Sequence, residues 1–230
     1  MDEKILPDTS TTNTFTKRGL LPDTGCTFRV RTVKGNSVSE WSDAVKGKTQ
    51  KWECVWKECP DNVDDDRKYS VDVKNPRIAA KTGDYRNCAI IGNTPLPLSK
   101  ISSWSIRILR SRDNNGGGTQ IGVAPSDIDQ NFYGEAGKRG WYFDCFYSVL
   151  CSGPPHNYRS NEYGPRKGNG GQYVHTGDSV GVVMDTAKGE LSFALDGVNH
   201  GVAYERIPLD KPLVPCVILY CNDDSVELVI

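Results

Sequence analysis

The sequence lacks most of what marks a membrane, secreted, nucleic-acid-binding or catalytic chain. No run approaches the roughly 18 consecutive apolar residues that cross a bilayer as a helix. No Asn-x-Ser/Thr glycosylation acceptor occurs, and Met1 to Ser10 begins with acidic residues and holds no continuous apolar stretch, unlike a secretory signal. These absences predict a soluble chain of the cytoplasm. Charge of one sign is also missing: 28 basic residues face 29 acidic ones, for a net charge of -1. Such a chain has no bulk field to draw it to nucleic acid or an anionic membrane, and neither is expected as a partner. Histidine is scarce, with only His156, His175 and His200, and no Gly-x-Ser-x-Gly or His-Glu-x-x-His pattern accompanies them. The Gly-rich Asn114 to Gly118 lacks the Lys-Ser/Thr ending and following helix of a phosphate loop, and acidic pairs such as Asp64-Asp65 sit in polar text. No enzyme activity and no cofactor are predicted. Finally, no segment sustains a 3.6-residue apolar period for a dozen residues, which excludes an α/β alternation.

What is present reads as strands. Ile106 and Ile108 alternate with Ser105 and Arg107, and Leu191, Phe193 and Leu195 alternate with Ser192 and Ala194. Further strand text runs over Val180 to Met184, Val214 to Tyr220 and Val226 to Ile230, with turn signals at Asn115-Gly116, Pro125-Ser126, Gly177-Asp178, Asp196-Gly197 and Asn222-Asp223. Asp196-Gly197 is the clearest hairpin, because a two-residue type I′ turn needs positive φ at both positions. The 23 glycines and 13 prolines, about 16% of the chain, suit a loop-rich fold without low complexity. Together these features predict an all-β protein, an antiparallel sandwich or barrel.

Eight cysteines, Cys26, Cys54, Cys59, Cys88, Cys145, Cys151, Cys216 and Cys221, are scattered through apolar text rather than packed in a short secreted framework. In extended chain the members of the closest pairs stand about 16 to 20 Å apart, too far to share an ion. Buried free thiols are expected, and no metal site.

At 230 residues the chain holds about 1.5 domains. Composition shifts near residues 48 to 66, where a Thr/Ser/Lys-rich segment gives way to the acidic stretch Asp61 to Asp66, so the expected division is 1–50 and 51–230. In the first part, Leu21-Pro22-Asp23-Thr24-Gly25-Cys26-Thr27-Phe28-Arg29-Val30-Arg31, then Gly35-Asn36-Ser37 and Ser39-Glu40-Trp41-Ser42, resemble the last strands of a fibronectin type III domain. Cys26 stands where that family usually has its corner tyrosine, and only two or three of seven strands fit before residue 50. The segment is therefore expected as a short N-terminal β extension, a partial domain.

From Trp52 onward the text resembles a SPRY domain of the longer PRY-SPRY kind. The motifs that carry the likeness arrive in order: Trp104-Ser105-Ile106-Arg107-Ile108, Ile121-Gly122-Val123-Ala124, Gly140-Trp141-Tyr142-Phe143-Asp144, Gly177-Asp178-Ser179-Val180-Gly181-Val182, Gly189-Glu190-Leu191-Ser192-Phe193-Ala194-Leu195-Asp196-Gly197 and Leu213-Val214-Pro215-Cys216-Val217. The resemblance implies a bent antiparallel β-sandwich of the concanavalin-like jelly-roll type that binds a protein or peptide through loops at one end and performs no chemistry. A fibronectin type III segment followed by SPRY is also the arrangement of the C-terminal half of tripartite-motif ubiquitin ligases. Their RING, B-box and coiled coil have no counterpart here, so ligase activity is not inferred.

By the same resemblance four segments line the binding end: Asn75 to Asn87, Pro125 to Arg139, Pro154 to Gly171, and Ile218 to Asn222. They offer Arg77, Tyr85, Arg86, Asn131, Phe132, Tyr133, Tyr158, Arg159, Tyr163, Arg166, Tyr220 and Asn222. Tyr and Arg combine broad contact area with directional hydrogen bonds. Tyr133 and Tyr220 match where the family places an aromatic wall. Trp104, Trp141, Phe193 and Leu195 are expected in the core, and Asp178 and Asp185 in turns. The expected state of this chain is a monomer. The competing reading is a lectin-like carbohydrate-binding sandwich, since Trp, Tyr, Asn and Asp also suit sugars, although no loop clusters the Asp/Asn oxygens that a positioning calcium ion would need.

Overall fold

The structure, a computed structural model, describes residues 25–48, 52–84, 86–111, 118–130, 139–152, 161–163, 174–195 and 197–230. The chain divides into two units, Met1–Lys51 and Trp52–Ile230.

In the first unit β1 (Gly25–Phe28) pairs antiparallel with β4 (Val45–Lys48), and β2 (Val33–Lys34) pairs with β3 (Ser37–Val38). Between the two pairings, serines continue the ladder. The amides of Ser39 and Ser42 donate to the carbonyls of Thr32 and Val30, and the amides of Thr32 and Val30 donate to the hydroxyls of Ser39 and Ser42 at 2.9 and 3.0 Å. Each hydroxyl supplies the acceptor that an opposing carbonyl gives in a regular ladder. The Arg31 guanidinium sits 4.5 Å above the Trp41 ring, a cation–π contact on one side of the ribbon. Phe28 and Val45, directly paired, are exposed.

The second unit is built from two antiparallel sheets. Its strands are β5 (Tyr69–Val71), β6 (Ile78–Lys81), β7 (Cys88–Ile91), β8 (Ile101–Arg110), β9 (Gln120–Pro125), β10 (Trp141–Asp144), β11 (Val149–Ser152), β12 (Asn161–Glu162), β13 (Ser179–Asp185), β14 (Glu190–Leu195), β15 (Val198–Tyr204), β16 (Leu213–Leu219) and β17 (Ser225–Val229). A 3-10 turn, Asp65–Arg67, precedes β5. One sheet runs β15-β14-β13-β8-β17-β6-β5, the other β12-β11-β10-β9-β16-β7. The isolated bridge of Trp56 to Gly92 covers part of the β7 edge.

Alternation places the core between the sheets. Trp104, Ile106 and Ile108 of β8, Val180, Val182 and Met184 of β13, and Leu191, Phe193 and Leu195 of β14 face Ile121, Val123, Phe143, Val217 and Leu219 of the other sheet in one buried cluster. Trp104, Phe193 and Leu195 are buried as expected, while Trp141 is only partly buried. The six-stranded sheet is buried on its second face as well, through Ala89, Ile91, Ala124, Tyr142, Val214, Cys216 and Ile218. That is why β7, β9 and β16 read as unbroken apolar runs rather than alternating ones. The two-residue connection between β14 and β15 pairs Leu195 with Val198 and holds Gly197 at φ 75°, a conformation glycine adopts without penalty. Asp185 accepts from the amides of Ala187 and Lys188, and Asp178 from that of His175, the turn roles expected of them.

A recognition rim at one end of the sandwich

Strand direction decides which loops meet. β6, β8, β10 and β16 finish at the end where β7, β9, β11 and β17 begin, because Cys88 pairs with Leu219, Gln120 with both Ile218 and Asp144, and Ser225 with Arg110. The loops at that end therefore include 82–87, 145–148 and 220–224.

Lys81 is the hub of this end. Its side chain is 1% exposed, yet its ammonium donates to the carbonyls of Asp66 at 2.6 Å and Gly83 at 2.8 Å. Its backbone amide donates to Asp224 and its carbonyl accepts from Asp223. Burial pushes the ammonium below its ordinary range, opposed by nearby acidic groups. The amides of Thr82 and Gly83 both donate to the Lys68 carbonyl, so the loop after β6 lies flat against the 3-10 turn. A Cβ on Gly83 would come within 2.3 Å of the Asp65 carbonyl oxygen, a clash that only glycine avoids.

The neighbouring loop is closed by Asp224, whose carboxylate accepts from the Cys221 amide at 2.9 Å while its own amide donates to the Cys221 carbonyl. Asp223 takes φ 68°, and its carboxylate stands 3.3 Å from the Arg110 guanidinium. Arg86 meets Asp66 at 3.2 Å. Tyr220, 39% exposed, lies over Gly118, where a side chain would collide with its Cβ. On the far side of Gly118, Asp144 accepts from the amides of Phe146 and Tyr147, and the two rings meet edge to face with centroids 4.7 Å apart. Tyr147 is 43% exposed.

Of the residues selected from the sequence, the structure brings Arg86, Tyr220 and Asn222 to this rim. It does not bring Arg77. That residue precedes β6 and its carbonyl accepts from Leu228, whereas Lys81 at the other end of β6 meets Asp223 and Asp224. An extended strand separates positions 77 and 81 by about 13 Å, so a segment spanning all of β6 cannot lie at one end. Tyr163 is also no loop display. It is buried, donating its hydroxyl to the Gly201 carbonyl at 2.6 Å and accepting from the Phe193 amide at 3.1 Å. Tyr85, Asn131, Phe132, Tyr133, Tyr158, Arg159 and Arg166 lie outside the described residues. Gln130, immediately before Asn131, is anchored on the Ala89 carbonyl and the Tyr69 hydroxyl, both at 2.9 Å.

Sequence reasoning missed Tyr147, Asp66, Arg110, Asp223 and Lys81. Tyr147 follows Asp144 by three residues, a spacing that signals an Asx-type turn with an outward tip. Nothing local distinguishes the buried ammonium of Lys81 from an ordinary solvated lysine.

Burial pushes the thiols of Cys88 and Cys145 up and that of Cys216 up to about 12, which leaves them protonated and unreactive at neutral pH. Among the described residues no three His, Cys, Asp or Glu side chains gather to hold a metal ion.

Comparison with known proteins agrees with this architecture. The sequence model of the SPRY domain matches residues 102–230, more than half of the chain. No curated protein matches the sequence. Among solved structures, the SPRY domain of human HERC1 superposes with a TM-score of 0.54 at 20% identity, covering 72% of this chain and 96% of that one. A second human SPRY domain gives 0.53 at 14% identity, covering 70% and 96%. SPRY domains are in general non-catalytic protein-interaction modules. With a matching sequence model, the same sandwich and the ordered motifs, the chain belongs to the SPRY domain family.

Proposed function

We propose that this chain recognises a peptide segment or surface of a protein partner at the rim formed by the loops 82–87, 145–148 and 220–224. The observation that carries the reading is the convergence there of exposed Tyr147, Tyr220 and Asn222 with two exposed ion pairs, Arg86–Asp66 and Arg110–Asp223, on buried supports. Aromatic and guanidinium groups held on a rigid frame are what binding hot spots are made of. Ion pairs exposed to water contribute little to stability, so they are free to exchange partners on docking.

The finer affiliations belong to the same reading. β5, β6 and β7 precede the matched residues yet pair into both sheets, which supports a PRY-SPRY organisation. The serine ladder and the Arg31–Trp41 contact support a fibronectin type III-like ribbon over the first unit. The buried thiols of Cys54, Cys88, Cys145 and Cys216, none of them in a disulfide, fit a reducing, intracellular setting, where the module acts as a monomer.

The test is a peptide-display selection against the wild-type chain and a Tyr147→Ala, Tyr220→Ala double variant. Enrichment by the wild type alone is expected. Equal enrichment by both overturns the rim as the site, and binding to a glycan array without any peptide enrichment replaces this reading with the lectin-like one.

A further inference from the structure

We propose that Lys81 is a positioning residue for the recognition rim, clamping the Asp65–Arg67 turn against the loop after β6 and so fixing where Arg86 and the 220–224 loop present themselves to a partner. The proposal rests on the rim reading given above and adds to it the residue that sets the geometry.

The connectivity of Lys81 differs from that of an ordinary strand-end residue. Its main chain holds the 220–224 loop from one side, through the Asp224 carbonyl and the Asp223 amide. Its side chain crosses to the other side and takes one carbonyl from each of two further segments, Asp66 in the turn and Gly83 in the loop. Arg86 is three residues past Gly83, and its ion-pair partner is Asp66 itself. The position of the Arg86–Asp66 pair is therefore set by the two carbonyls that one buried ammonium gathers. On the opposite flank Asp223, hydrogen-bonded to the Lys81 carbonyl, carries the pair with Arg110, and Asn222 and Tyr220 precede it.

The chemistry of the group fits the role. An ammonium is a compact donor with several protons on a long stem, able to satisfy two carbonyls from different segments at once, which no neutral aliphatic side chain does. The Gly83 carbonyl is buried against it and the Asp66 carbonyl half-buried, so removing the ammonium takes the donor from a shielded acceptor. Loosening the seam costs affinity because a partner must then order the loops itself on binding. Asp66, Asp84 and Asp224 supply the surrounding negative charge that keeps a buried cation tolerable.

The experiment compares the full chain with Lys81→Met, which keeps the stem and removes the donors. Amide exchange is read at Thr82, Gly83 and Asp223, and binding is read with the peptides that the wild type enriches from a display library, well below each variant's unfolding midpoint. The expected result is exchange at Thr82 and Gly83 at least about tenfold faster with the amides of β9 and β13 unchanged, and affinity weaker by about tenfold or more. A merely structural lysine lowers the unfolding midpoint but leaves the affinity of the folded fraction alone. Lys81→Met that binds as the wild type does, or that leaves exchange at Thr82 and Gly83 unaltered, overturns the proposal. If Lys81→Met does not fold, Gly83→Ala opens the same seam from the other side with the ammonium in place, and the same two readings decide. A wild-type chain that enriches no peptide overturns the rim reading itself, a result distinct from wild-type binding that Lys81→Met fails to change.

Discussion

Tyr204, on the edge strand β15 of the seven-stranded sheet, donates its hydroxyl to the carbonyl of Tyr142 in the opposite sheet at 2.8 Å. The Cys151 carbonyl, on the strand paired with Tyr142, shares that proton at 2.9 Å. One phenol thus bolts the two sheets together where edge strands would otherwise part. Tyr204→Phe keeps the ring and leaves two buried carbonyls without their donor. Urea unfolding is expected to show a loss of about 1 to 3 kcal/mol, with peptide binding unchanged because the site lies away from the rim.

Gly122 and Gly197 separate two reasons for glycine. A Cβ at Gly122 would stand 1.9 Å from the Trp141 carbonyl oxygen, inside the ladder of β9 and β10. At Gly197 nothing lies within 4 Å, and only the positive φ is strained. Gly122→Ala is expected to cost at least about 3 kcal/mol, since backbone must move in a sheet buried on both faces. Gly197→Ala should cost about 1 to 2 kcal/mol. Comparable unfolding midpoints for the two variants would contradict this account.

Alkaline pH should weaken the fold through its buried thiols. Burial raises the pKa values of Cys88, Cys145 and Cys216 above their ordinary value of 9.0. Above about pH 9 the unfolded chain releases these protons while the native state keeps them, so the native state binds more protons and stability falls as pH rises. Each thiol contributes a slope of at most about 1.4 kcal/mol per pH unit. Tyr69, also raised by burial, joins above its ordinary value of 10.0. Urea midpoints measured between pH 8 and 11 should decline, and replacing Cys216 with Ala should flatten the decline.

The second unit, Trp52–Ile230, is expected to fold when 1–51 are removed, because its two sheets pair entirely within it. A single cooperative transition for 52–230, with unchanged peptide binding, is the outcome to look for. A broad, non-cooperative transition would make the first segment integral to the fold.

Tyr220→Ala with Asn222→Ala should reduce partner affinity by about tenfold or more without lowering the unfolding midpoint appreciably, since both side chains are exposed at the rim. Arg77→Ala should leave affinity unaltered. Titration of the double variant and of Arg77→Ala against one peptide separates rim from far end.

Much of the fold was legible because strand periodicity is a local signal. Ser-Ile-Arg-Ile and Leu-Ser-Phe-Ala-Leu announce a buried face and an exposed one, and Asp196-Gly197 announces the turn between β14 and β15. The continuous runs of β9 and β16 announced strands but not what covers them, since burial on both faces erases alternation. The candidate site was legible only in part. Tyr220, Asn222 and Arg86 stand in segments that the resemblance implies line the binding end, but one of those segments also holds Arg77, because a likeness in sequence does not record which way a strand points.

Local side-chain patterns, then, determined the strands, the turns and the family. Register and strand direction decided which loops share an end, joining residues as distant in sequence as Asp66, Arg86, Arg110 and Asp223 and excluding Arg77. Tertiary structure alone turned Lys81 from a strand-end lysine into a buried clamp, because its two acceptor carbonyls come from separate segments that only the folded chain brings within hydrogen-bond reach.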